Sequence, residues 1–346
     1  LAIMSNKNFI KKNNNFNKYY FKCRNKLIGL HHILPYSIKN AFWTSNIFNF
    51  IKKNKPDLVH FHNPIPPLAL WALCKYCLSN KIPYIISSHG FVEMFDFKKS
   101  FNINIFKSLF IKPLILNPFY KSIENATALF CLSPNEINMI KEKTNFNKKL
   151  YIVPNGYNKD LAQNSNLNNN IKSQLIKRFK LNENIPNFFF LGNHTYNKGV
   201  DIILKSLRHI KGEFRIIIGG AIRSKKEYEK LINTSNLLND ETRYLFTNFL
   251  TDDEVFALYK ISNCFIFPTR ADTFPLVILE AMSSELPIIS TKVGGIPYQV
   301  DETCGILINP DQPKELASAI QKFINNNALF KKMGINSRKK VLKDFS

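Results

Sequence analysis

No apolar run in the 346 residues reaches the ~18–20 positions that a bilayer-spanning helix needs. The best candidate, Phe106–Tyr120, is broken by Lys107, Lys112 and Pro113. Cysteine is sparse: six thiols in a chain of this length do not make a disulfide scaffold, and without a secretory leader they read as reduced thiols of a cytosolic protein. Acidic side chains are few, 25 against 48 Lys+Arg, which leaves a formal net charge of +23. Arginine is scarcer still. Only eight of those 48 cations are Arg, while Asn reaches 43, a bias of the kind AT-rich codons produce. A nucleic-acid reader would favour Arg, whose planar fork contacts phosphates and bases bidentately, so no nucleic-acid partner is expected.

What is present describes a globular protein. Hydrophobic residues make up 45% and aromatics 13%, which excludes disorder, and the length suits two domains with a core each. Residues 1–150 carry 22 basic and 6 acidic side chains, whereas 151–346 carry 26 and 19. The excess in the first half reads largely as the same compositional bias, with a basic face for an anionic membrane or an acidic acceptor as the alternative.

Short apolar runs alternate with longer amphipathic stretches, the pattern of βαβ units with parallel sheets covered on both faces. Strands are expected at Lys26–Leu30, Asp57–His62, Tyr84–Ser88, Ala128–Ser133 and Leu150–Val153. A second series follows at Asn187–Leu191, Phe214–Ile218, Tyr244–Phe249, Cys264–Phe267, Pro287–Ser290 and Gly305–Ile308. The polar stretch Gln163–Asn170 reads as a linker, which divides the chain into 1–165 and 166–346. Two such domains place the carboxyl ends of their strands across a cleft. The first ~25 residues show no clear strand, and the usual opening strand with its Gly-rich turn is missing, so the ends read as cut.

Three segments carry chemistry. In Pro268–Met282 the carboxylates Asp272 and Glu280 straddle a strand-to-helix turn, with Thr273 as a candidate N-cap and Pro275 suited to a first helical turn. The helix that follows directs its unpaired N–H groups to a phosphate. The plainer alternative is a capped core helix with one satisfied Glu. In Leu191–Gly199 the glycines allow a tight turn, and Lys198 stands where a pyrophosphate would lie or is simply solvated. In Ser87-Ser-His-Gly90 a histidine ends an apolar strand. His60 and His62 alternate on one strand with no third ligand beside them and read as structural. Cys74 and Cys77 have redox or metal spacing but no second pair, and read as packed thiols on an apolar helix. Phe95–Tyr120, aromatic and basic, reads as a core-facing helix pair or as a membrane-surface face.

These motifs, together with Asp57–His62, Val153-Pro-Asn-Gly156, Leu286–Thr291, Val293–Pro297 and Gly305–Pro310, resemble in order and spacing the retaining glycosyltransferases of family 4. The resemblance spans nearly the whole chain. It implies the α/β GT-B fold, two doubly wound Rossmann-like domains, the first taking the acceptor and the second a nucleoside-diphosphate sugar. It implies His89 and Asp272 as catalytic residues, the former beside the donor sugar and the latter on a sugar hydroxyl. Gly192, Asn193, Lys198, Thr273, Phe274, Leu276, Val277 and Glu280 would form the donor-binding set, with Lys198 on the diphosphate and Glu280 on the ribose. No metal or other cofactor is expected, since Lys and a helix N-terminus stabilise the leaving diphosphate. Family habit points to a glycan or lipid-linked acceptor in surface polysaccharide or lipopolysaccharide assembly, and to a cytoplasmic protein peripheral on the inner face of the membrane.

The chain departs from the family pattern in several places. Asn193 stands where Arg is usual, which leaves the diphosphate short of a cation unless Arg270, Arg223 or another side chain substitutes. Asp272 replaces Glu, and Tyr298 replaces Glu after Gly-Gly-Ile-Pro. Glu285 occupies a left-handed cap position usually held by Gly, at a cost of ~1 kcal/mol. Two rival readings remain at this level, a sugar-nucleotide epimerase of similar fold and a decayed, basic surface-binding protein.

Overall fold

A computed structural model describes residues 2–5, 9–13, 16–25, 43–45, 47–62, 67–89, 91, 116–157, 169–222, 225–236 and 242–345. The expected strand at Lys26–Leu30, most of Phe95–Tyr120, Arg223, the first six residues of the linker and the boundary at residue 165 lie outside them. Contacts divide the chain into two units, Leu1–Val153 and Pro154–Ser346.

The first unit opens with strands where none was expected: β1 (Ala2–Ser5), β2 (Phe9–Asn13), β3 (Phe16–Asn25) and β4 (Trp43–Ser45). β1 runs parallel to β3, while β2 and β4 pair with it antiparallel. The Asn/Lys content hides a β signal carried by three aromatics in a row. Tyr19 and Phe21 share one face of β3, and their rings lie 4.6 and 5.2 Å from Phe50 on helix α1 (Ile47–Asn54).

Next comes a separate parallel sheet, in sequence order, of β5 (Val59–His62), β6 (Tyr84–Ser87), β7 (Ala128–Cys131) and β8 (Lys149–Ile152). It alternates with helices α2 (Pro67–Ser79), α3 (Asn117–Asn125) and α4 (Pro134–Lys143). Leu70, Cys74 and Cys77 form one buried face of α2 and join Tyr84, Ile86, Phe119 and Leu129 in the core. Burial pushes the Cys74 thiol up to about 12 and the Cys77 thiol to about 11, so both behave as packed apolar groups.

In the second unit each strand ends within a residue or two of its expected place: β9 (Asn187–Leu191), β10 (Arg215–Gly219), β11 (Tyr244–Asn248), β12 (Cys264–Phe267), β13 (Ile288–Thr291) and β14 (Gly305–Ile308). Phe188–Phe190, Ile216–Ile218 and Cys264–Phe267 are almost fully buried, as continuous apolar runs require when helices cover both faces. The helices are α5 (Asn169–Phe179), α6 (Val200–Ser206), α7 (Lys225–Asn236), α8 (Asp252–Ile261), α9 (Leu276–Ser283), α10 (Ile296–Gln299), α11 (Pro313–Asn325) and α12 (Asn327–Asp344). A Thr251–Glu254 capping box starts α8, and Glu285 takes the left-handed conformation expected after α9, with φ 63°.

The six strands are all parallel, in the order β11-β10-β9-β12-β13-β14. The chain runs outward from β9 through β10 to β11, then returns to β12 on the other side of β9. This reversal leaves the loops after β9 and β12 side by side at the carboxyl edge, where open α/β sheets take ligands.

Candidate functional site

The two loops at this switch point are locked together by backbone. Gly199 follows a single helical turn at Tyr196–Lys198 and adopts φ 74°, and a Cβ added there would lie 2.0 Å from the Pro268 carbonyl oxygen. The Thr269 hydroxyl donates to the Asn197 carbonyl at 2.8 Å, and the Arg270 amide donates to the same oxygen at 2.7 Å. From the far side, the Thr291 hydroxyl donates to Thr269 O at 2.6 Å and Gly295 N to Thr273 O at 2.8 Å. Gly294, φ 53°, lets its backbone pass so close to Asp272 that an added Cβ would lie 1.8 Å from the Asp272 carbonyl oxygen. The glycines of Val293–Pro297 thus shape the turn that carries Asp272.

On this frame Lys198 meets Asp272. Lys198 Nζ lies 2.5 Å from Asp272 Oδ2 and 5.5 Å from the centre of the Phe267 ring. The two residues are 74 positions apart in sequence and come from different loops. Arg270 is not the substitute cation that the Asn193 departure calls for. Its guanidinium grips Asp201 bidentately at 2.7 and 2.8 Å, donates to Asp311 at 2.5 Å and lies 3.8 Å above the Tyr196 ring. Two carboxylates balance its charge and hold it as a structural clamp between the loops. In turn the arginine holds the Asp201 carboxyl below its usual range despite burial.

α9 begins beside this pair. Its N-cap is Pro275, φ −67°, and not Thr273, which is buried and makes no capping bond. Phe274 also turns inward, its ring 5.9 Å from Phe345, whereas Leu276 is exposed and Val277 half-buried. Farther along α9, Glu280 Oε2 accepts a hydrogen bond from the Tyr259 hydroxyl at 3.1 Å. Burial pushes the Glu280 carboxyl up, the tyrosine counteracts this, and Asp252 adds to the rise. Tyr259 escaped the sequence reading; the available signal was a phenol in an apolar helix, which needs a partner for its hydroxyl. Gly192 and the half-buried Asn193 sit at the end of β9, where Gly192 N donates to Gly219 O at 3.1 Å. The next residue, His194, is fully buried with both ring nitrogens unpartnered, and burial lowers its pKa.

In the first unit His89 is exposed at the end of β6 and does not stand alone. Its ring lies 5.9 Å from His62, which lies 4.0 Å from His60, and His60 Nε2 hydrogen-bonds Ser87 Oγ at 2.7 Å. The strand pair His62↔Ser87 creates this row, so His60 and His62 do have a third histidine beside them. Beneath it Glu136, fully buried on α4, accepts from the Ser88 hydroxyl at 2.5 Å and from Leu132 N at 2.8 Å. Among the described residues no group of three or more His, Cys, Asp or Glu is arranged to hold a metal ion. Among them, too, no helix is long and apolar enough to cross a membrane.

Two Rossmann-like α/β units, the second with paired loops at its switch point, define the GT-B fold. The chain belongs to the glycosyl transferases group 1 family, whose model matches residues 158–340, and the Glycosyltransferase Family 4 model matches residues 21–161. An uncharacterised glycosyltransferase of Methanocaldococcus jannaschii is 28% identical over 302 residues, 86% of this chain and 74% of that protein. The Staphylococcus aureus capsular polysaccharide biosynthesis glycosyltransferase CapM is 30% identical over 168 residues, 45% of this chain and 41% of its own. Anabaena HepE, solved in complex with UDP, superposes with a TM-score of 0.72 at 18% identity, covering 95% of this chain and 82% of its own.

Proposed function

We propose that this glycosyltransferase moves a sugar, with retention of anomeric configuration, from a nucleoside-diphosphate sugar to a hydroxyl of a glycan or lipid-linked acceptor. The observation that carries the reading is the meeting of Lys198 and Asp272 at the switch point, beside the start of α9. A diphosphate needs a cation and N–H donors, and a sugar needs a carboxylate to accept from its hydroxyls; the three lie together here. Glu280, farther along the same helix, suits the paired hydroxyls of a ribose. In this reading His89 serves beside the donor sugar, and no metal takes part. Attack comes from the face that the diphosphate leaves, and the departing oxygen accepts the acceptor's proton, so no protein nucleophile is assigned. The capsular role in CapM's name and the UDP held by HepE favour a surface-glycan acceptor and a uridine donor.

The test is a thermal-shift panel of UDP, GDP, ADP and their glucose conjugates on the wild type and Glu280→Ala. A ligand at ~100 times its dissociation constant adds ~2.7 kcal/mol, a rise of several degrees. The expected result is a shift with one base that disappears in the variant; no shift with any of the six sinks the donor site. Proton coupling at the anomeric centre of the product then separates retention from inversion.

A further inference from the structure

We propose that Asp272 competes with the diphosphate for Lys198, so that the site prefers a nucleotide sugar to the free nucleoside diphosphate and expels the latter once the sugar has gone. This rests on the donor-site reading above and extends it to how the site discriminates substrate from product.

The argument begins with the 2.5 Å contact between Lys198 Nζ and Asp272 Oδ2, whose side chains are only 26% and 15% exposed. Backbone on both sides holds the partners in place. Gly199 is pressed against Pro268, Thr269 and Arg270 are bonded to Asn197, and Gly294 is pressed against Asp272. Neither loop swings away without losing those contacts, so the pair is the resting arrangement of a rigid frame. The neighbouring cation gives no relief, because Arg270 is 8% exposed and held by Asp201 and Asp311.

An incoming nucleoside diphosphate takes Lys198 and leaves Asp272 unpaired beside an anion, losing a charge-assisted bond and adding like-charge repulsion. A nucleotide sugar brings hydroxyls next to the same phosphate. They donate to Asp272 and replace the bond it gave up. Breaking the pair is therefore compensated only when the sugar is present. When transfer removes the sugar, Asp272 loses its hydroxyl partners and reclaims Lys198, which loosens the remaining diphosphate.

Isothermal titration with UDP, GDP, ADP and their glucose conjugates tests this on the wild type, Asp272→Asn, Lys198→Met and the double variant. In Asp272→Asn, the diphosphate of the accepted base is expected to bind about two- to fivefold tighter, the range of a partly screened ion pair. Its glucose conjugate gains nothing or weakens, so the preference for the conjugate collapses. Lys198→Met loses affinity for both. In the Lys198→Met background, adding Asp272→Asn should no longer tighten the diphosphate, whereas a general field effect of the carboxylate would persist. Asp272→Ala, which has no amide to form new bonds, should repeat the gain and guards against a fold defect in the Asn variant. Diphosphate affinity unchanged or weakened in both Asp272 variants, with wild-type binding measurable, overturns the competition. Absence of wild-type binding to all six nucleotides is a distinct result: it removes the donor site and the inference with it.

Discussion

The loop after β6 in the first unit and the loops after β9 and β12 in the second occupy equivalent ends of parallel sheets, yet they are built by opposite means. In the first, a fully buried carboxylate, Glu136, fixes the turn from below through Ser88 and Leu132. Above it stands a row of imidazoles, where partial desolvation and then neighbouring imidazoles lower the pKa of His60 and His89. In the second, glycines allow backbone to press on backbone, and the candidate groups are opposite charges in contact. The first loop presents a row of hydrogen-bonding imidazoles. The second presents balanced charges, which under the proposed function meet a ligand that is anionic at one end and hydroxylated at the other.

The strongest way to break the comparison is Gly199→Ala. The added methyl meets the Pro268 carbonyl 2.0 Å away, and the residue must hold φ 74°. Left-handed strain alone costs ~1–2 kcal/mol, and separating the loops adds to it. The expected outcome is a melting temperature lower by ~5 °C or more and loss of nucleotide binding, read by calorimetry and titration. Retained binding with an unchanged melting temperature would show that the loops are not locked by their backbones.

The same contrast explains what could be read from the sequence. Asn187–Leu191, Cys264–Phe267 and Gly305–Ile308 were legible to the residue because a strand covered on both faces must be apolar throughout. The strands before residue 26 were not, because their aromatics are interleaved with Asn and Lys. Lys198 and Asp272 were legible because each lies in a loop that follows a strand, and Glu280 because it lies on the helix after the second of those loops. Their partners were not. Arg270 closes on Asp201 and Asp311, 69 and 41 residues away, and only the folded chain reveals that its charge is spent. Thr273 had the right chemistry for an N-cap, but Pro275 with φ −67° starts the helix two residues later. The histidine row depends on strand register, which pairs His62 with Ser87 and carries His89 alongside.

Glu136→Ala probes the first loop and should act on it alone. It leaves the buried Ser88 hydroxyl and Leu132 amide without their acceptor, at a cost of ~2–3 kcal/mol. Hydrogen exchange should quicken around Ser88 and Leu132 while the nucleotide binding proposed for the second unit is kept. Glu136→Gln retains an acceptor oxygen and should cost less. It should also change the pH dependence. Burial raises the Glu136 carboxyl above 4.5, so the folded state holds the proton more tightly than the unfolded one and stability falls as pH rises from 4.5 through the raised value. Chemical denaturation over that window should show this slope in the wild type and lose its Glu136 share in the Gln variant.

The smallest expected effect is the sharpest test of how the imidazoles are held. His60 and His89 are lowered from 6.5, first by partial burial and then by neighbouring imidazoles, His62 acting on both. A histidine lowered in the fold takes up its proton more readily when unfolded. The stability it contributes is therefore complete above 6.5 and is lost as pH falls from there through the folded pKa. Ring-proton NMR titration should place both midpoints below 6.5 in the wild type. His62→Asn removes the imidazole that acts on both, so both midpoints should rise, leaving burial and the mutual His60–His89 interaction. If neither midpoint moves, desolvation governs the row and the 4.0 and 5.9 Å ring contacts are packing without electrostatic consequence. If both move, the loop after β6 is tuned by like charge as surely as the loops after β9 and β12 are tuned by opposite charge.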